Sequence, residues 1–131
     1  MSIYTEKAQA LRNDTTTHYN CAQAVLMAFS AKAGLSDEVA ANLASNFGAG
    51  MKNGGVCGAI TGGLMALGLF GITDAATYYA RVKEAIGEEF TCAGLLRINT
   101  QNGGEKKAFC DGLITACVTV VETMLNEKGK L

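Results

Sequence analysis

The sequence predicts an all-α fold: a compact bundle of about six helices around a central apolar, glycine-rich helix. Three observations carry that prediction. The 131 residues contain no proline, which suits long uninterrupted helices. No pair of alternating segments reads as partnered strands. And Gly54 to Ile72 opens with two glycines and then runs without a charge, the pattern of a helix surrounded on every side.

Taken in order, residues 2 to 13 form a short helix of mixed periodicity through Ile3, Lys7, Ala10 and Leu11. Asp14-Thr15-Thr16-Thr17 breaks it with capping residues. A second helix runs from about Tyr19 to Ala33, capped by Asn20 or Thr17, with Ala24, Val25, Ala28 and Phe29 on one face and Gly34 as its stop. Ser36 caps a third, which carries Asp37 and Glu38 in its first turn and reaches about Asn46. Phe47 to Gly55 is glycine-rich: either a flexible connector or backbone held close to a neighbour, with amides free for an anion.

In the fourth helix Gly58 and Gly62 fall at i and i+4, which leaves a flank bare for a neighbouring helix. Thr73 or Asp74 caps a long fifth helix expected to reach Ile98, with a bend at Gly87. Tyr78 and Tyr79 on it are packing residues. Asn99 to Gly104 is a turn, and a last helix spans Glu105 to Glu127 with Phe109, Leu113, Ala116, Val120 and Met124 at helical spacing.

Bulk properties narrow the function. The chain reads as one domain, 1–131, with 49% apolar and 18% charged residues. A net charge of −1 gives no footprint for nucleic acid or an anionic membrane. Val56 to Ile72 is barely long enough to span a bilayer and is rich in glycine, so it reads as a buried helix of a soluble protein. With no signal-peptide pattern at the N-terminus, the expected compartment is the cytoplasm. Five cysteines in a reducing compartment point to thiol, metal or redox chemistry, against a background of cysteine as a small buried hydrophobe.

Placing the cysteines on antiparallel helices sharpens this. Cys21 and Cys57 fall in the first turns of the second and fourth helices, at one end of the bundle. Cys92 and Cys110 each lie nine residues from Gln101, level on the two arms of the last hairpin and at that same end. Cys117 lies two turns, about 10 Å, below Cys110. A first-turn cysteine feels the positive end of the helix dipole, which favours the thiolate, so Cys21 or Cys57 is expected to attack or ligate. Cys92 and Cys110 would resolve or ligate. His18, three residues before Cys21, is a base, a ligand, or simply solvated, and solvation is the plainer reading. Local metal and redox motifs such as CxxC are absent. Phe90-Thr91-Cys92-Ala93-Gly94-Leu95 and Phe109-Cys110-Asp111-Gly112-Leu113 echo each other too briefly to be a duplication.

These segments resemble the C_GCAxxG_C_C family, named for its cysteine pattern. The likeness runs from Asn20-Cys21-Ala22-Gln23-Ala24-Val25 through Phe47-Gly48-Ala49-Gly50-Met51 and Gly55-Val56-Cys57-Gly58-Ala59-Ile60-Thr61-Gly62 to Cys92 and Cys110. A glycine separates Cys57 from Ala59, so the central block departs from the family label. Cys117 has no place in the pattern. The resemblance implies a small helical domain with redox work, sometimes joined to electron-transfer modules, and supplies no substrate.

Three readings therefore stand at this point. Cys21, Cys57, Cys92 and Cys110 cycle between dithiol and disulfide with an unidentified redox partner. Or the same four thiolates bind an iron–sulfur cluster or zinc. Or the bundle is structural or partner-binding, with inert cysteines. Burial of so glycine-rich a fourth helix leaves room for a homodimer.

Overall fold

The computed structural model describes residues 2–131, and among them every regular element is helical. The seven α-helices are α1 (Ile3–Arg12), α2 (Cys21–Ser30), α3 (Asp37–Ala44), α4 (Gly58–Leu69), α5 (Ala75–Ile86), α6 (Cys92–Gln101) and α7 (Lys106–Glu127). A 3-10 turn, Ala31–Ala33, extends α2, and Gly34 closes it at φ 84°.

The core is built where α2 and α4 meet α7. Gly62 explains the closeness of the first pair: a Cβ there would stand 2.8 Å from the Ala22 carbonyl oxygen and 3.0 Å from Val25 Cβ. The bare flank expected of Gly58 and Gly62 is used as a contact with α2. On the other side of α4 the Tyr78 ring fills the place a Gly63 side chain would need, and its hydroxyl donates to the Ile60 carbonyl at 2.9 Å. Tyr78 and Tyr79 pack edge to face, in the structural role expected of them.

α2 is the most enclosed helix, buried from Ala24 through Ser30. Its start is fixed by a reciprocal cap. Asn20 accepts from the Gln23 amide at 2.9 Å, and the Gln23 side chain accepts from the Asn20 amide at 2.8 Å. α1 lies across α2 and α7, stacking Tyr4 on Phe29 at 4.8 Å. α7 is long and apolar enough to cross a membrane by length and composition alone, but in the bundle one face, Leu113 to Leu125, is buried against the other helices.

The expected long fifth helix is two helices. Gly87 stops α5 at φ 98°, a backbone state closed to other residues, and the chain then turns aside. Thr91 restarts it by accepting from the Gly94 amide at 3.1 Å, while Glu89 accepts from the Thr91 amide at 2.9 Å. Between the helices, Thr91 pairs with Val56 in a single antiparallel bridge. The Cys57 amide donates to Phe90 O at 2.8 Å and the Cys92 amide to Gly55 O at 2.6 Å. That bridge is the physical reason for the break: five residues leave the helix to clamp the entrance of α4.

Nor is the segment from Phe47 to Gly55 a loose connector. Ala49, Gly50, Met51 and Lys52 are successive left-handed residues, with φ between 52° and 63°. Three of them are not glycine, and each such residue costs roughly 1–2 kcal/mol. The turn is closed by Met51 N to Phe47 O at 3.3 Å and Gly55 N to Gly50 O at 2.9 Å, so those two amides are spent inside it.

Candidate functional site: four thiols around one pocket

Cys21, Cys57, Cys92 and Cys110 line a single small pocket. Its other walls are Ala49 and Gly58 on one side, Leu95 and Leu96 on α6, and Phe109 and Leu113 on α7. The starts of three helices deliver three of the thiols. Cys21 is the first residue of α2, Cys57 is the cap of α4, and Cys92 is the first residue of α6. Cys110 enters from the second turn of α7.

Each approach has a local cause. Gly58 lets the starts of α2 and α4 touch, since a Cβ there would stand 3.2 Å from Cys21 Cβ and 3.0 Å from Phe47 O. The Val56–Thr91 bridge sets Cys57 and Cys92 on one side of a two-stranded stub, diagonal to each other. The sequence argument brought Cys92 to this end by riding a long helix upward. The convergence is there, but by another route: a break in that helix makes Cys92 the start of a new one.

The electrostatics reverse one expectation. Cys21 and Cys57 were the thiols a helix dipole should ionise, yet both are pushed up. For Cys21 the cause is first its hydrogen bonding with Cys110, in which it keeps the proton, and then burial. For Cys57 it is burial, only partly offset by the Ala59 and Ile60 amides at the start of α4. Cys92 is also raised, by burial and by the neighbouring Cys110 thiolate. Desolvation of a nearly dry thiol outweighs a half-charge at a helix end.

Cys110 is the exception, lowered to about 7. The Cys21 thiol is the main cause, with Arg12 and Lys106 adding positive charge against the opposing effect of burial. The two thiols titrate as a pair, and Lys106 beside Cys110 favours the first negative charge there.

Arg12 is a site residue that sequence reasoning missed. Its Nε donates to Asp111 Oδ1 at 2.8 Å and its Nη1 to the Tyr19 carbonyl at 2.9 Å. It therefore ties the strand of chain entering Cys21 to the residue after Cys110. Lys107 completes the arrangement, donating to Asp111 Oδ2 at 2.7 Å and Asn13 Oδ1 at 3.1 Å. The only available signal was the acid beside Cys110, because nothing in the spacing pairs residue 12 with residue 111.

His18 is exposed and does not line the pocket. Cys117 is fully buried beside Tyr78, and burial pushes its thiol up to about 12, which makes it inert. All five cysteines are free thiols. Among the described residues no three His, Cys, Asp or Glu side chains stand close enough to hold one metal ion. The zinc or iron–sulfur reading would thus require the four sulfurs to draw inward from where they stand.

No curated protein and no solved structure matches the chain. A sequence model of one family does, across residues 19–124, from just before Cys21 to beyond Cys117. That span holds every thiol of the pocket, and the chain belongs to the family described as "Putative redox-active protein (C_GCAxxG_C_C)".

Proposed function

We propose that the chain is a thiol–disulfide redox protein in which Cys110 attacks and Cys21 resolves. One observation carries this reading: thiols from different helices, Cys21 and Cys110 among them, face one pocket, and the thiolate is favoured on Cys110. The thiolate is the nucleophile in disulfide exchange, and a partner thiol within reach is what releases the mixed disulfide. Cys110 S⁻ attacks a small disulfide R–S–S–R, the S–S bond breaks, and R–S⁻ leaves. Cys21, losing its proton, then attacks Cys110 Sγ and expels the second R–S⁻. The chain ends with a Cys21–Cys110 disulfide, and two electrons have passed to the substrate. Cys57 and Cys92 stand beside this pair as the thiols that could take the disulfide onward.

The test is a thiol count on anaerobically purified protein before and after exposure to glutathione disulfide, with peptide mapping of the product. Loss of two thiols with a Cys21–Cys110 linkage is the expected result. Five thiols still free would overturn the proposal. So would a stoichiometric metal in the purified protein, in favour of a metal centre on the same four sulfurs.

A further inference from the structure

The pocket constrains what the thiols can meet. Its cavity is about 20 Å³, room for an atom or two of a guest. Apart from sulfur its walls are methyl, methylene, phenyl and glycine groups, with no charged or hydroxyl side chain among them. Cys57 is 4% exposed, and the other three are half-buried.

Three classes of electrophile can oxidise a thiolate, and the walls discriminate between them. A peroxide leaves as hydroxide or alkoxide, a basic anion that needs strong hydrogen-bond donors, whereas the pocket offers only S–H, a weak one. A protein disulfide brings two backbones with it and needs an exposed attacking sulfur. A persulfide presents one terminal sulfur, polarizable and poorly hydrated, and its leaving group is a thiolate. Sulfur against apolar and aromatic walls is a favourable contact. Phe109 and Leu96 supply such walls beside Cys110.

We propose, on the basis of the redox reading above, that this pocket is a sulfane-sulfur site in which Cys110 accepts the outer sulfur of a small persulfide. Cys110 S⁻ attacks the terminal sulfur of R–S–S–H, the S–S bond breaks, R–S⁻ departs, and Cys110–S–S–H remains with its extra atom in the apolar pocket. The donor is reduced to its thiol as the Cys110 sulfur is oxidised to the persulfide level. With no acceptor present, Cys21 attacks Cys110 Sγ. The Cys21–Cys110 disulfide forms, and the sulfur leaves as HS⁻, with the Cys21 proton released.

The test uses the full chain, reduced and anaerobic, with glutathione persulfide as the probe and intact mass as the readout. The wild type should gain one sulfur atom transiently, removable by cyanide as thiocyanate, and then release it as HS⁻. Cys110→Ser should load at least roughly tenfold more slowly, since the remaining thiols are protonated at neutral pH. Wild-type protein first alkylated at Cys110 should behave the same way, which guards against a misfolded variant. Cys21→Ser should hold the sulfur roughly tenfold longer, because the resolving attack is gone. Cys21→Ser protein that gains no sulfur, while the wild type still closes the Cys21–Cys110 disulfide with glutathione disulfide, overturns the sulfur site and leaves the redox reading standing. Protein that does neither overturns both. Oxidation of Cys110 by hydrogen peroxide as fast as by persulfide also overturns the sulfur site.

Discussion

Cys21→Ala isolates the cause of the Cys110 ionisation. Removing the Cys21 thiol removes the largest lowering influence and leaves Arg12 and Lys106 in place. The Cys110 thiol should therefore rise from about 7 toward its ordinary 9.0. At neutral pH the thiolate fraction would then fall from about one half toward about one hundredth, roughly fiftyfold. A more basic thiolate is a better nucleophile, and a Brønsted slope of 0.4–0.5 over two units returns roughly eightfold. The net loss of alkylation rate at pH 7 is thus at most about eightfold, with a larger upward shift in the midpoint of the pH profile. The assay is iodoacetamide labelling of Cys110 across pH 5 to 10, read by peptide mass. Cys21→Ser, which keeps a hydroxyl donor, should recover part of the shift. A midpoint that does not move in Cys21→Ala would refute the coupling of the two thiols and would leave Arg12 and Lys106 as the whole cause.

Arg12→Gln should cost about 1–3 kcal/mol in chemical denaturation, because it leaves Asp111 with Lys107 as its remaining cation and frees the Tyr19 carbonyl in a half-buried setting. A loss below 0.5 kcal/mol would mean that the tie is ornamental. Asp111 is raised by burial, but the bonds from Lys107 and Arg12 outweigh this and hold it below 3.8. Its contribution to stability is therefore present above that value and fades as pH falls through the folded-state pKa, so Asp111→Asn should flatten the acid limb of the stability curve. Gly62→Ala should destabilise by about 1–3 kcal/mol, since the new methyl meets backbone that cannot swing away; an unchanged denaturation midpoint would show that α2 and α4 can part without cost. At Lys52, exposed and left-handed, substitution by glycine should instead stabilise by about 0.5–1 kcal/mol, and a loss there would show that the turn is not strained.

Periodicity and punctuation carried the helices well, because caps and stops are local chemistry. Ser36 and Asp74 accept from the amides three residues on, and Gly34 closes its turn in the left-handed state. The close approach of α2 to α4 was legible for the same reason, since two glycines one turn apart have few other uses in an apolar helix. What stayed hidden was non-local. Gly87 was visible as a possible bend, but the decision to break the helix is made by Gly55 and Cys57, some thirty residues away, whose backbone groups bond Cys92 and Phe90 on either side of the Val56–Thr91 bridge. The left-handed run at Ala49–Lys52 was equally unreadable, because Ala, Met and Lys do not advertise positive φ.

The same division explains the candidate site. Four thiols at one end of a bundle follow from helix order alone, and that inference survives a wrong helix boundary because Cys92 lies on the same side of the break as Cys110. Reactivity does not follow from helix order. The dipole argument ranks Cys21 and Cys57 first because it treats each helix end as if it stood in water. Once the ends are packed together, burial penalises every thiolate, and the charge settles where a second thiol and a cation meet. Arg12 reaches that place from α1, a helix that lies outside the family match at 19–124. The four pocket cysteines thus lie inside the family match, whereas part of their chemistry comes from a segment beyond it. Shifting Arg12 should therefore change thiol reactivity without touching any residue of the cysteine pattern itself.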